Sequence, residues 1–186
     1  LPFEPRRAAK PEAVADDRVR QQDRPPSGVV WLACDLTGSP TAGRSLAASI
    51  ALDGALERAV QKNDTLLDDN ALVIATRPLL RGATPSPELV EANEPGLFSC
   101  RFAFHGTVAD RRRLLVTLND CRRRFRRSVL LVDGRDAAAV QLAAIAVDDA
   151  VLLGARRRTS ELALVRSENA IRWAAPRFRP RLVVAA

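Results

Sequence analysis

Residues Val29 to Ala51 read VVWLACDLTGSPTAGRSLAASIA. The opening apolar run has the composition of a strand buried on both faces. From about Arg44 to Gln61 the apolar residues recur at helical spacing, which predicts a helix. Between the two lies GSPTAGRS, Gly38 to Ser45. It meets every fixed position of the phosphate-binding pattern G-x-x-x-x-G-K-[S/T] except that Arg44 stands where the lysine belongs. Such a loop works by pointing successive backbone N–H groups at phosphate oxygens, at the positive end of the following helix. Strand, glycine-bearing turn and helix in that order predict an α/β fold with a ligand site at the end of the first strand.

The rest of the chain keeps the same rhythm. ALVIAT (71–76) and LFSCRFAF (97–104) read as strands, separated by a proline-bearing loop with one helical turn expected around PELVEA (87–92). A helix is predicted through the arginine-rich segment after Val108, docked by Leu115, Leu118 and Phe125. SVLLVD (128–133) and DAVLLGA (149–155) are aliphatic strands, and RDAAAVQLAAIA between them is a helix rich in small residues. Thr159 or Ser160 caps a further helix with Glu161 in its first turn, and PRLVVAA ends the sequence as a strand. Strands alternating with helices predict a three-layer α/β/α sandwich with a mostly parallel sheet, P-loop NTPase-like in its first unit. Residues 28–186 form this domain, and residues 1–27, rich in Pro, Arg and Asp, read as a flexible arm.

The 186 residues carry a formal charge of +7. Eight arginines against Asp110 and Asp120 concentrate a net +6 between Val108 and Arg127 and leave the remainder nearly neutral. Arg111, Arg112, Arg113, Arg122, Arg123, Arg124, Arg126 and Arg127 are therefore the candidate surface for an anionic membrane or an acidic partner. Aromatic residues are too few for single-strand stacking and no helix-turn-helix pattern occurs, so specific nucleic-acid recognition is not expected. No apolar run reaches the length of a membrane span, and no secretory signal is visible. Cys34, Cys100 and Cys121 lack metal-site spacing and read as reduced thiols in or near the core. The sequence contains no methionine, as expected of a trimmed or processed piece of a larger protein.

Ser45 stands where a hydroxyl would ligate Mg²⁺, and Asp133, ending an apolar strand, where a second-shell carboxylate would stand. Arg44 is planar and larger than the compact lysine charge it replaces. It is placed to fold back and pair with Asp133. His105, the only histidine, reads as a loop residue. Asp148 and Asp149 read as solvated neighbours that point apart, Trp31 as a core residue and Trp173 as a surface one.

With these residues in view, the chain resembles the cytosolic tyrosine kinases of bacterial capsule and exopolysaccharide assembly, relatives of the MinD and ParA ATPases. Pro40, Gly43, Ser45 and Ala51 fit the family's opening motif; Thr41, Ala42, Arg44, Leu46 and Ser49 depart from it. FRRSVLLVDGRDAAAVQLAAIAVDDAVLLGARRRTSELAL resembles the family's Walker B region, with Asp133 at the acidic position and Thr159 opening the next helix. The departures are consistent: Ala75 and Arg77 replace the acids of the second family motif, Gly134 and Arg135 its Pro-Pro pair, and no tyrosine is present for autophosphorylation. The resemblance implies a catalytically inactive relative with a vestigial nucleotide site at Gly38, Gly43, Arg44, Ser45 and Asp133. It implies no required cofactor and at most weak ATP and Mg²⁺ binding. The expected role is a regulatory or scaffolding partner of a membrane polysaccharide co-polymerase or chain-length regulator, cytoplasmic and peripheral to the inner membrane. An oligomer is compatible with that role. Two alternatives stand beside it: an active ATPase or tyrosine kinase in which Arg44 serves for lysine, and a ParA- or MinD-like protein that binds DNA or a membrane surface.

Overall fold

The computed structural model describes residues 28–52, 71–77, 89–91, 96–103, 107–156 and 158–185. The arm (1–27), the second half of the first predicted helix and His105 lie outside them. The elements are β1 (Val29–Asp35), α1 (Pro40–Leu52), β2 (Ala71–Arg77), β3 (Leu89–Glu91), β4 (Leu97–Ala103), α2 (Val108–Arg124), β5 (Arg127–Asp133), α3 (Ala137–Ala144), β6 (Asp149–Ala155), α4 (Glu161–Ala174) and β7 (Arg181–Ala185). The strands form one sheet in the order β3-β4-β2-β5-β1-β6-β7. All pair in parallel except β3, which runs antiparallel along the edge of β4. The three-layer sandwich expected from the alternating pattern is therefore present.

Chain direction explains the layers. From β1 the chain crosses over β5 to reach β2; from β4, β5 and β6 it travels the other way along the sheet. Right-handed crossovers in opposite directions must put their helices on opposite faces. Accordingly α1 packs with Trp31, Ala33, Val129, Leu131 and Leu153 on one face. The other face carries α2, α3 and α4 over Val30, Leu32, Leu130 and Val132. The central strands β1, β5 and β6 share a burial pattern of five consecutive buried residues, as strands covered on both faces require. Trp31 lies in the core and Trp173 on the surface, as their contexts indicated.

Three expectations are corrected. Within PELVEA the described residues, Leu89–Glu91, are not helical but pair with Phe98–Cys100 as β3, the open edge of β4 overriding a weak local preference. The docking stripe of α2 is Leu114, Leu118 and Cys121, continued by Phe125, not Leu115, which is exposed. Steps of four, three and four residues track the 3.6-residue repeat better than a stripe through Leu115, Leu118 and Phe125. Asp110, one turn earlier on that stripe, is buried in a capping box with Thr107 and pairs with Arg113. Lastly, Asp148 is not a merely solvated acid. Its Oδ2 accepts from the Val30 amide at 2.8 Å and from Arg122 Nη2 at 3.1 Å, while Arg122 Nη2 also donates to the Ala146 carbonyl at 2.9 Å. One carboxylate thus ties the start of β1, the end of α2 and the approach to β6. Asp149 points to its own neighbour, accepting from Ala150 N at 2.8 Å.

All three cysteines are buried. Burial pushes the Cys100 thiol up to about 11 and the Cys121 thiol up to about 12, and Cys34 is raised by the same cause. None is a thiolate near neutral pH.

Replacing Asp148 by alanine should cost about 1–3 kcal/mol in chemical denaturation, because it leaves Val30 N without its side-chain acceptor and removes the ion pair of Arg122. Asp148→Asn, which keeps an oxygen for Val30, should cost less than half as much.

Candidate functional site

Adjacent strands β1 and β5 send their following helices to opposite faces, α1 to one and α3 to the other. In open α/β sheets that divergence opens a crevice at the carboxyl ends of the strands. A cavity of about 190 Å³ lies there, lined by Asp35, Gly38, Arg44, Ala75, Asp133 and Arg135 among others. Asp35 and Asp133 close β1 and β5 at the same register position, and both project toward α1, because Ala33 and Leu131 two residues earlier lie in the α1-side core.

The turn between β1 and α1 is built around Asp35. Its Oδ1 accepts from the Thr37 amide at 2.9 Å and from the Thr37 hydroxyl at 2.7 Å. Thr37 is itself fully buried. Its hydroxyl accepts in turn from Ser39 N at 3.2 Å. Gly38 makes the bend with φ of +70°, a conformation that favours glycine. Ser39 then begins the helix: its Oγ accepts from Ala42 N at 3.4 Å and its carbonyl from Gly43 N at 3.0 Å. Serine before a proline in the first helical position is a strong helix start, since proline lacks an amide that would go unpaired there anyway.

The consequence concerns GSPTAGRS directly. The helix was expected from about Arg44 and begins at Pro40, so Gly43, Arg44 and Ser45 lie in its first turns, not in an open loop. Gly43 packs against the Asp35 carboxyl group, and a Cβ at this position would fall 2.5 Å from Asp35 Cγ. A glycine is needed, but the anion it accommodates is the protein's own. That carboxylate sits at the positive end of α1, where it gains about 0.3–1 kcal/mol from the helix dipole.

Of the five sequence-predicted residues, Gly38, Arg44 and Asp133 line the cavity. Gly43 supports it through Asp35. Ser45 is exposed on α1 and is not among the lining residues. The expected Arg44–Asp133 pair is replaced by Arg135–Asp133, with Nε to Oδ1 at 3.4 Å, and Asp133 Oδ1 also accepts from Arg135 N at 3.0 Å. Gly134 accepts the close passage of this turn: a Cβ there would lie 2.6 Å from Leu36 Cδ2. From α4, buried Ser167 donates to the Gly134 carbonyl at 2.7 Å. Thr159 does not cap α4; Ser160 does. The Thr159 hydroxyl instead accepts from Ala155 N at 2.8 Å and donates to the Leu36 carbonyl at 3.0 Å, closing the crevice from the β6 side.

Asp35, Thr37 and Arg135 were missed from sequence. The signal for Asp35 was present, since it ends an apolar strand just as Asp133 does. As it stands the cavity holds two carboxylates and two guanidiniums in less volume than the roughly 300–1,000 Å³ of ordinary ligand pockets. It offers a balanced charge cluster in which Arg44 and Arg135 are exposed. Among the described residues no group of three or more metal-ligating side chains occurs.

The predicted basic surface divides in two. Because α2 returns antiparallel to the strands, Arg111, Arg112 and Arg113 lie toward the crevice edge of the sheet. Arg122, Arg123 and Arg124 lie about 15 Å further along the helix axis, with Arg126 and Arg127 beyond. Several have structural partners: Arg113 with Asp110, Arg122 with Asp148, Arg124 with Asp120 at 3.7 Å, and Arg127 with the Leu52 carbonyl at 3.3 Å. Arg111 and Arg112 are exposed beside Val108, Leu115 and Val116, which are exposed as well.

The fold and crevice define a doubly wound α/β protein with a charged site at its switch point. Comparison with family models, curated proteins and solved structures returned no match.

The contact between Gly43 and Asp35 makes a sign-reversing prediction. Gly43→Ala should destabilise the protein by about 1–3 kcal/mol through overpacking. In an Asp35→Ala background the same change should stabilise by up to about 1 kcal/mol, the ordinary helical gain of alanine over glycine. Denaturant melts of the four proteins in the cycle check this.

Proposed function

We propose that this chain is a non-catalytic relative of P-loop kinases, a regulatory or scaffolding partner in bacterial exopolysaccharide or capsule biosynthesis and export. The pathway and the membrane co-polymerase partner rest on the sequence resemblance alone. The observation that carries the non-catalytic reading is the Asp35 carboxylate against Gly43 at the start of α1. Phosphoryl transfer depends on positioned cations that neutralise developing negative charge. A fixed carboxylate at that point does the opposite, and a helix beginning at Pro40 leaves the Gly43 amide bonded to Ser39, not available to a phosphate. Ala75 at the cavity wall adds no acid for Mg²⁺.

The protein should therefore show no Mg²⁺-dependent ATP hydrolysis or autophosphorylation, and no rise in melting temperature at millimolar ATP. Arg44→Lys alone should change neither result. A saturable thermal shift that grows with ATP concentration as linkage requires, and that Asp133→Ala removes, would overturn the reading in favour of an active or nucleotide-sensing site.

The outer face of α2 supports peripheral attachment to an anionic membrane near such a partner. Exposed Val108, Leu115 and Val116 alternate there with Arg111 and Arg112, the combination of apolar insertion and cationic attraction used by interfacial helices. Each arginine near an anionic surface contributes about 1 kcal/mol, screened by salt. Reversing both to glutamate should lower co-sedimentation with phosphatidylserine-containing vesicles by about tenfold or more at low salt. Arg122 is unsuitable for this test because its removal would disturb the Asp148 anchor. Unchanged co-sedimentation would leave α2 as a solvated face.

A further inference from the structure

A second concavity lies on the opposite face from α1. It is a groove of about 680 Å³ between α3 and α4. Leu162, Arg166, Asn169 and Trp173 line it from α4, and Arg135 and Gln141 from the α3 side. The four α4 residues are spaced by four, three and four positions, so they form one continuous stripe along the helix. Small residues, among them Gly134, Ala137, Ala163 and Ala170, line the rest, and among the described residues no aspartate or glutamate does.

Trp173 is 76% exposed and Leu162 59% exposed. Among the described residues nothing covers them, although indole and guanidinium groups are the side chains that most often anchor protein interfaces. Among the described residues the groove is electrically one-sided, with two guanidiniums, two carboxamides and no carboxylate. Among the described residues the Arg135 side chain pairs with Asp133, and both side chains are more than 60% exposed, so that pair is weak and exchangeable.

We propose that this groove binds an extended acidic segment of a partner protein, its carboxylates on Arg135 and Arg166 and an apolar side chain on Trp173. The concave shape is unsuited to a bilayer surface. Two guanidiniums flanked by exposed Asp136 and Glu161 do not form the continuous cationic track that a nucleic-acid backbone requires. The volume falls within the range of about 300–1,000 Å³ typical of pockets that enclose a small ligand, which suits a few residues of peptide and not a folded domain. Spacing sets the motif. Arg166 and Trp173 stand seven residues apart on α4, about 10 Å along its axis. An extended chain covers that distance in three residues at about 3.3 Å each. The recognised pattern is therefore an acidic residue, two intervening residues and an aromatic or large aliphatic one. The peptide test does not depend on the nucleotide question: Asp35, Gly43 and Arg44 take no part, and Arg135 alone is shared with the crevice.

The test uses the whole chain and the acetylated, amidated peptide EEAAFA, with KKAAFA and EEAAAA as controls, in calorimetric titration at low salt. We expect saturable binding of EEAAFA, weakened about tenfold or more by Arg166→Glu and by Trp173→Ala, with melting temperatures of both variants unchanged. KKAAFA should not bind, and EEAAAA should bind at least tenfold more weakly. Absence of saturation up to millimolar peptide overturns the proposal, as does equal affinity for KKAAFA or equal affinity of the variants. A monomer–dimer equilibrium in analytical ultracentrifugation that Trp173→Ala abolishes would assign the groove to a second copy of the chain, and so also overturn it.

Discussion

One carboxylate organises the carboxyl edge of the sheet. Asp35 leaves β1 pointing toward α1, collects the amide and hydroxyl of Thr37, and lies against the Cα of Gly43. Those contacts fix the bend at Gly38, and the bend fixes where Ser39 starts the helix. The neighbouring turn depends on the same strand end, since Gly134 N donates to the Asp35 carbonyl at 3.0 Å. Thr159 is bound to the next carbonyl, that of Leu36. Three loops that follow three adjacent strands are thus hydrogen-bonded to two consecutive residues. A ligand anion at this point would have to displace an internal one that already enjoys charge-assisted bonds and a helix dipole.

Much of the fold was legible because its signals are local and repeated. VVWLA, SVLLVD and DAVLLGA could only be strands covered on both faces, and the helices between them dictated a parallel sheet. The short strand at Leu89–Glu91 was not legible, because its conformation comes from a partner strand and not from its own sequence. The role of Asp148 was hidden for a related reason. Its partners, Val30 and Arg122, lie 118 and 26 residues away, and nothing within the pair Asp148–Asp149 indicates which acid turns inward.

The site was partly legible and partly misdirected by its own pattern. Reading GSPTAGRS as spaced glycines makes Ser39 and Pro40 filler. Reading it as helix grammar makes them the cap and the first helical residue, and this second reading fixes the backbone. Gly43 fits both, which is why spacing alone could not separate a cradle for phosphate from a seat for Asp35. The arginine run misleads in a similar way. A formal count treats the eight charges as one patch, whereas helix direction and ion pairing leave Arg111 and Arg112 at one end and commit Arg122 to holding the strands together.

Arg135 is the residue through which the two concavities meet. It lines the crevice beside Asp133 and the groove beside Arg166, and the turn that carries it is anchored on both sides, by Asp35 through Gly134 N and by Ser167 through the Gly134 carbonyl. The backbone is therefore fixed while the side chain, largely exposed and weakly paired with Asp133, lines both the crevice and the groove. A carboxylate arriving in the groove would compete with Asp133 for the same guanidinium. Losing that partner leaves Asp133 beside Asp35 with Arg44 as the remaining cation of the cavity, so occupancy of one face alters the charge balance of the other. Coupling of this kind needs no movement of the sheet. It would follow from one side chain shared between the groove and Asp133.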